Sequence, residues 1–222
     1  MVMSVGGLVL LASGLCALQV SHVRRVRQDR RRLFEAVGRL FDRVEMHHDG
    51  LGFPVLTGSY RGYPIRLEPV VDAVGFRKLP VLWLLVTHSR PLEVDAPVDI
   101  LLRPDGTEFF SPNGTFIREY ADSWRLPGGV RIASPDPDRA PPLSAFEPYR
   151  LFFAEPRAKE LYVGDGGLRL VWRLSEGDQT QYRTTRRANF GSVRVQPADL
   201  QPVLETLAGV GDAFAGQSAG RA

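Results

Sequence analysis

Residues 79–87 read Leu-Pro-Val-Leu-Trp-Leu-Leu-Val-Thr, apolar almost throughout. As a helix this run would be about 14 Å long, far short of the ~30 Å hydrocarbon layer of a membrane. It lacks the alternation of a strand with one wet face. It therefore predicts a central strand buried on both sides, with Leu82, Leu84 and Val86 on one face and Trp83 and Leu85 on the other.

The flanking sequence supplies neighbours for such a strand. Residues 54–60 and 63–70 are rich in β-formers and meet at Arg61-Gly62, a tight-turn dipeptide. Residues 98–102 and 108–110 predict a second hairpin, turning at Pro104-Asp105-Gly106. Residues 161–163 and 168–174 bracket Asp165-Gly166, a strong hairpin signal. Residues 182–190 place Tyr182, Thr184, Arg186, Ala188 and Phe190 on one face, which predicts a half-exposed strand. Ser144 precedes Glu147 by three positions, a capping box that opens a short helix over 144–153. Leu200, Val203, Leu204, Leu207 and Val210 define a C-terminal amphipathic helix. The expected fold class is α+β: a mostly antiparallel sheet with helices packed on it.

Residues 134–142 hold four prolines, which exclude a helix or a central strand. This loop divides a soluble domain of residues 46–214 into candidate halves 46–133 and 143–214. In each half a helix precedes three strands, so the order suggests two α-β-β-β units. Residues 215–222 form a tail of small residues.

The first 45 residues have a different character. Residues 1–22 carry no charged side chain apart from the neutral His22 and are dominated by Val, Leu and Ala, which predicts a transmembrane anchor. Positive charge lies wholly on the far side, so a cleaved signal peptide does not fit. The positive-inside rule then places the chain in the inner cell membrane of a bacterial-type cell, with the N-terminus outside and the domain cytoplasmic. Ser13-Gly14-Leu15-Cys16 departs from a lipoprotein box, because Leu15 stands where a small residue is required. Residues 23–45 predict a basic amphipathic juxtamembrane helix with a stripe of Val26, Leu33, Val37, Leu40 and Val44. Its arginines Arg24, Arg25, Arg27, Arg30, Arg31 and Arg32 are placed to meet anionic lipid headgroups.

Net charge is +3, but residues 22–45 alone carry eight arginines against four acids, a net of +4. The remainder is −1, so the domain has no basic face for nucleic acid. Only Lys78 and Lys159 are lysines, the codon bias of a GC-rich genome.

Chemical motifs are sparse. His47-His48-Asp49 offers adjacent side chains that diverge on any regular backbone, and the other histidines, His22 and His88, are remote in sequence. No metal and no cofactor are expected. Gly58-Ser59-Tyr60-Arg61-Gly62 has its serine in the wrong slot for a hydrolase elbow. Phosphate-binding glycine loops are absent. The loop at 72–80 carries Phe76, Arg77 and Lys78 between two strands, an aromatic beside two cations that suits a partner contact.

The leading functional expectation is a membrane-tethered, non-catalytic binding or scaffolding module, with a protein partner or self-association. The other reading is an enzyme with a carboxylate site that sequence patterns do not reveal. A cleft holding two carboxylates with raised pKa values favours the enzyme; an exposed apolar patch without one favours the module.

Overall fold

The computed structural model describes residues 5–48, 52–73, 79–116, 118–120, 124 and 126–215. Nine strands form one antiparallel sheet: β1 Asp42–His48, β2 Pro54–Tyr60, β3 Tyr63–Asp72, β4 Val81–Ser89, β5 Val98–Leu102, β6 Arg118–Glu119, β7 Val130–Ser134, β8 Ala158–Gly164 and β9 Gly167–Glu176. Their spatial order is β1-β2-β3-β4-β9-β8-β5-β7-β6. Among the described residues four α-helices accompany it: α1 Val5–Arg31, α2 Arg150–Phe153, α3 Gln179–Thr185 and α4 Pro197–Phe214. The fold is α+β, as the alternation of the strands requires.

Cross-strand register explains the two faces of the sheet. Ile132, Ile100, Leu161, Leu170, Val86, Leu67, Leu56 and Met46 stand side by side across eight strands. One residue along each strand runs a second row, of Ala133, Asp99, Tyr162, Arg169, Thr87, Arg66, Thr57 and Glu45. Because strand side chains alternate with period two, the first row makes an apolar face and the second a polar one. The apolar row is buried from Ile132 to Leu56, in a core shared with Leu200, Val203, Leu204, Leu207 and Val210 of α4 and with Leu33, Phe34, Val37 and Phe41.

β4 lies at the centre, between β3 and β9. Its polar-side residue Trp83 is buried as well, with its ring 5.8 Å from Phe110 and beneath the Lys159 ammonium at 6.0 Å. The segment after β5 thus closes the second face of this strand. Arg61 and Gly62 both have positive φ, 51° and 85°, which makes the β2–β3 turn a mirror-image tight turn.

Several expectations are corrected. Among the described residues no helix is long and apolar enough to cross a membrane. This overturns the single-pass anchor over 1–22 and the inner-membrane topology drawn from it. Ser13, Gly14 and Gln19 dilute the apolar side chains of residues 12–20, and α1 continues without a break into Arg24, Arg25, Arg27, Arg30 and Arg31. The amphipathic helix expected over 23–45 ends at Arg31: turns follow, then a 3-10 turn at Gly38–Leu40, and Val44 belongs to β1. Of its apolar stripe, Leu33 and Val37 are core, Val26 and Leu40 are half-buried, and Val44 is exposed.

The two candidate halves do not stand apart, since β4 pairs with β9 and β5 with β8. Residues 108–110 are not a strand; β5 pairs with β7 and β8 instead. Helix 144–153 is a 3-10 run, Leu143–Tyr149, leading into α2, and Ser144 does not cap it. Residues 182–190 are α3 and an irregular segment rather than a strand.

Candidate functional site

A concavity of about 640 Å³ lies between the C-terminal half of α1 and the segment that follows α3. The first wall is helical, so His22, Arg25, Val26, Asp29 and Arg30 project from neighbouring turns of one face. The second wall carries Gln181, Arg187, Phe190 and Val193. Phe53 forms the floor, buried, with the Arg30 guanidinium 4.7 Å above its ring.

The second wall has a local cause. Asp178 caps α3, its carboxylate accepting from the Gln181 amide at 2.7 Å. α3 stops at Arg186, whose φ of 55° turns the chain back. The returning strand of chain is fixed where the Asp178 amide donates to the Asn189 carbonyl at 2.9 Å. Further on, the Val195 amide donates to the Leu33 carbonyl at 2.9 Å, docking this segment against the turns after α1. Arg194 donates to the Asp29 carbonyl at 3.0 Å and lies 3.5 Å from its carboxylate. Asp29, the acid among the described cleft residues, is thereby engaged. Arg25 lines the first wall and Arg187 the second, with no carboxylate partner among the described residues.

Of the six arginines expected at a membrane surface, the structure brings Arg25 and Arg30 to the cleft. Arg24, Arg27, Arg31 and Arg32 are exposed outside it, the Arg27 stem passing close to Gly52. Phe76, Arg77 and Lys78 lie outside the described residues. His47 and His48 sit on β1, exposed, and His22 lines the cleft. His88 is fully buried: desolvation lowers its pKa, its Nε2 lies 3.3 Å from the Tyr60 carbonyl, and Tyr63 meets its ring edge-on. It is a core histidine. Among the described residues no three His, Cys, Asp or Glu side chains are grouped to hold a metal ion.

Two carboxyls do meet, but elsewhere. Asp99 on β5 and Glu160 on β8 share the polar face of the sheet, both wholly buried and near enough for Glu160 to raise the Asp99 pKa. The Asn113 side chain donates to Asp99 Oδ1 at 2.7 Å, and Arg169 donates to Glu160 Oε2 at 3.1 Å. Burial first, and the neighbouring Glu160 second, hold the Asp99 carboxyl well above the usual carboxylate range. Asp99 is thereby favoured in its protonated form, while Glu160 lies 3.1 Å from the Arg169 guanidinium. The shallow depressions above it are lined by Tyr162 and Arg169, not by the carboxyls themselves.

This arrangement predicts a pH dependence. The unfolded chain loses the Asp99 proton near 4, and the folded chain keeps it to higher pH. Stability from this group is therefore complete below the ordinary Asp pKa and is lost as pH rises through the raised one. Asp99→Asn keeps an acceptor for Asn113 and a donor for Glu160. In guanidinium titrations it should remain folded, with a flatter stability profile between pH 4 and 8. Arg169→Met leaves Glu160 without its counter-charge and should cost about 3 kcal/mol at neutral pH. Equal losses in Asp99→Asn at pH 5 and pH 8 would mean that Asp99 is ionised in the folded state.

Reading the sequence did not find Arg187 or Phe190 as cleft residues. The available signal was Asp178 three residues ahead of Gln181, an N-cap pattern just before the stretch expected as a strand. The carboxyl pair had a signal too, a single acid set in each of two apolar runs, Val98-Asp99-Ile100 and Glu160-Leu161.

No family model matches the chain, and none of the curated proteins matches it. Among solved structures it is similar to the crystal structure of the mycobacterial trehalose monomycolate transport factor A, TtfA, at 14% identity over 86% of this chain and 94% of that one, with a TM-score of 0.43. A likeness of that degree transfers neither function nor site.

Proposed function

We propose that this chain is a non-catalytic binding module whose cleft between α1 and the segment after α3 takes an anionic ligand with an apolar portion. The observation that carries this reading is that Arg25 and Arg187 line opposite walls of one cleft together with the aromatic rings of Phe53 on its floor and Phe190 on its second wall. Guanidinium groups suit carboxylate or phosphate, and the aromatic floor suits a chain or ring. Among the described cleft residues the acid is Asp29, which is held by Arg194. Among the described residues no cleft nucleophile is hydrogen-bonded to an oriented base, which supports binding over turnover. The raised pKa of Asp99 favours the enzyme reading, but that pair is sealed under the sheet surface.

Titration of the full chain with inorganic phosphate, with octyl phosphate below its micelle concentration, and with anionic or zwitterionic vesicles tests the proposal. Octyl phosphate should saturate and phosphate alone should bind more weakly. Arg25→Glu with Arg187→Glu should weaken octyl phosphate binding at least tenfold, since a charge-assisted hydrogen bond contributes about 1.5–3 kcal/mol. Binding confined to anionic vesicles would identify the ligand as a lipid surface rather than a free molecule. Equal affinity of the native chain and the double variant would remove the cleft from the binding function.

A further inference from the structure

The apolar row of the sheet is buried at every strand except the last. It begins at Ile132 and is covered as far as Leu56, then ends at Met46 on β1, which is 41% exposed. Val44, two residues away on the same face, is 36% exposed. All seven residues of β1 are exposed, and the strand lies at the edge of the sheet with pairing on one side only. The opposite edge is blunted: β6 is two residues long. β1 is thus the longer of the two open edges, and among the described residues its outer backbone groups have no strand partner.

We infer that β1 pairs antiparallel with β1 of a second copy of this chain, about a two-fold axis through Met46. The argument rests on self-complementarity. A two-fold interface must match one patch with itself, so each residue meets its mirror in register. Centring on Met46 sets Met46 against Met46, Glu45 against His47 twice, and Val44 against His48 twice. The apolar row then continues from Leu56 through two methionines into the partner's Leu56, and apolar cross-strand pairs are the stabilising unit of a sheet.

Charge selects this register over its neighbour. Glu45 and His47 already lie 3.7 Å apart on the polar face, both largely exposed. Pairing centred on Met46 brings each carboxylate opposite an imidazole. Centring one residue earlier, on Glu45, would set the two carboxylates against each other, which like-charge repulsion disfavours. The irregularity between Asp42 and Glu45, with Arg43 at a φ of 53°, bends the start of the strand away and leaves 44–48 as the straight portion. Five residues on each side make a small interface, so the dimer is expected to be concentration-dependent.

Sedimentation of the full chain across a wide concentration range, together with crosslinking, tests this inference. The chain should pass from monomer to dimer as concentration rises, and Met46→Asp should shift that transition at least tenfold upward. With Cys16→Ser as background, Met46→Cys should crosslink through a short bismaleimide at low concentration. Leu151→Cys, also exposed, should not. Because Met46 is a surface residue, neither substitution threatens folding. A chain that stays monomeric throughout, self-association unchanged by Met46→Asp, or equal crosslinking at positions 46 and 151 would each overturn the inference.

Discussion

A chain that begins at residue 46 is expected not to fold, while one that begins at residue 27 is expected to unfold cooperatively near the midpoint of the full chain. The difference lies in Leu33, Phe34, Val37 and Phe41, which contribute to the core from the turns between α1 and β1. Leu33 also accepts the Val195 amide through its carbonyl, and the Phe41 ring packs edge-on to Tyr60 at 6.3 Å. Burial of each such side chain contributes about 1.5–3 kcal/mol. Four together rival the whole margin of a typical domain, about 5–15 kcal/mol. The shorter chain also loses the first half of β1 and exposes the β2 edge behind it. Guanidinium unfolding followed by tryptophan fluorescence compares the two. Equal midpoints would place residues 33–41 outside the core.

The second large effect is at Leu84. It is fully buried on the central strand, paired with Pro69 on one side and Trp172 on the other. Leu84→Ala should cost about 2–5 kcal/mol through lost transfer energy and an unfilled cavity. Leu84→Asp should leave no folded population, because Leu84 is wholly buried in the apolar core and a carboxylate there would be stripped of water. Thr87→Asp makes the matched control. Thr87 lies on the other face of the same strand, half-buried between Arg66 and Arg169. A carboxylate there meets two guanidinium groups and should change stability by no more than about 1 kcal/mol. Circular dichroism melts of the three variants give the answer. A folded Leu84→Asp protein with a near-native melting temperature would make β4 peripheral and undo the two-face description of the sheet.

The same strand shows how far local reading reached. Its central position followed from composition, since a run apolar on both faces has to be covered twice. The turns at Arg61-Gly62 and Asp165-Gly166 were legible because glycine chemistry marks them, and both hairpins formed there. The helix at 197–214 was legible through its periodicity, and the residues it was expected to bury are its buried face. Where local signals conflicted, the reading failed. Residues 182–190 alternate like a strand, yet the Asp178 cap starts a helix just before them. Residues 23–45 have helical spacing, but that spacing records a core contact made by turns, and the last residues pair with β2. The arginines of α1 were read as a lipid-facing group. The structure divides them, two at the cleft and four outside it, because facing a particular wall depends on helix rotation and on what folds back against it.

The sequence by itself determined the fold class, the central strand, two hairpins, the C-terminal helix and the charge balance. Each of these rests on interactions between residues close in the chain or on the average composition of a face. Only the tertiary structure decided the strand order, the meeting of Asp99 with Glu160, the cleft between α1 and the segment after α3, and the open edge at β1. Those depend on contacts between residues tens to more than a hundred positions apart, whose pairing is chosen by burial of the whole apolar face at once. Nothing in the local pattern around Arg25 or Arg187 records that the two line opposite walls of one cleft, because that arrangement exists only after the core has closed.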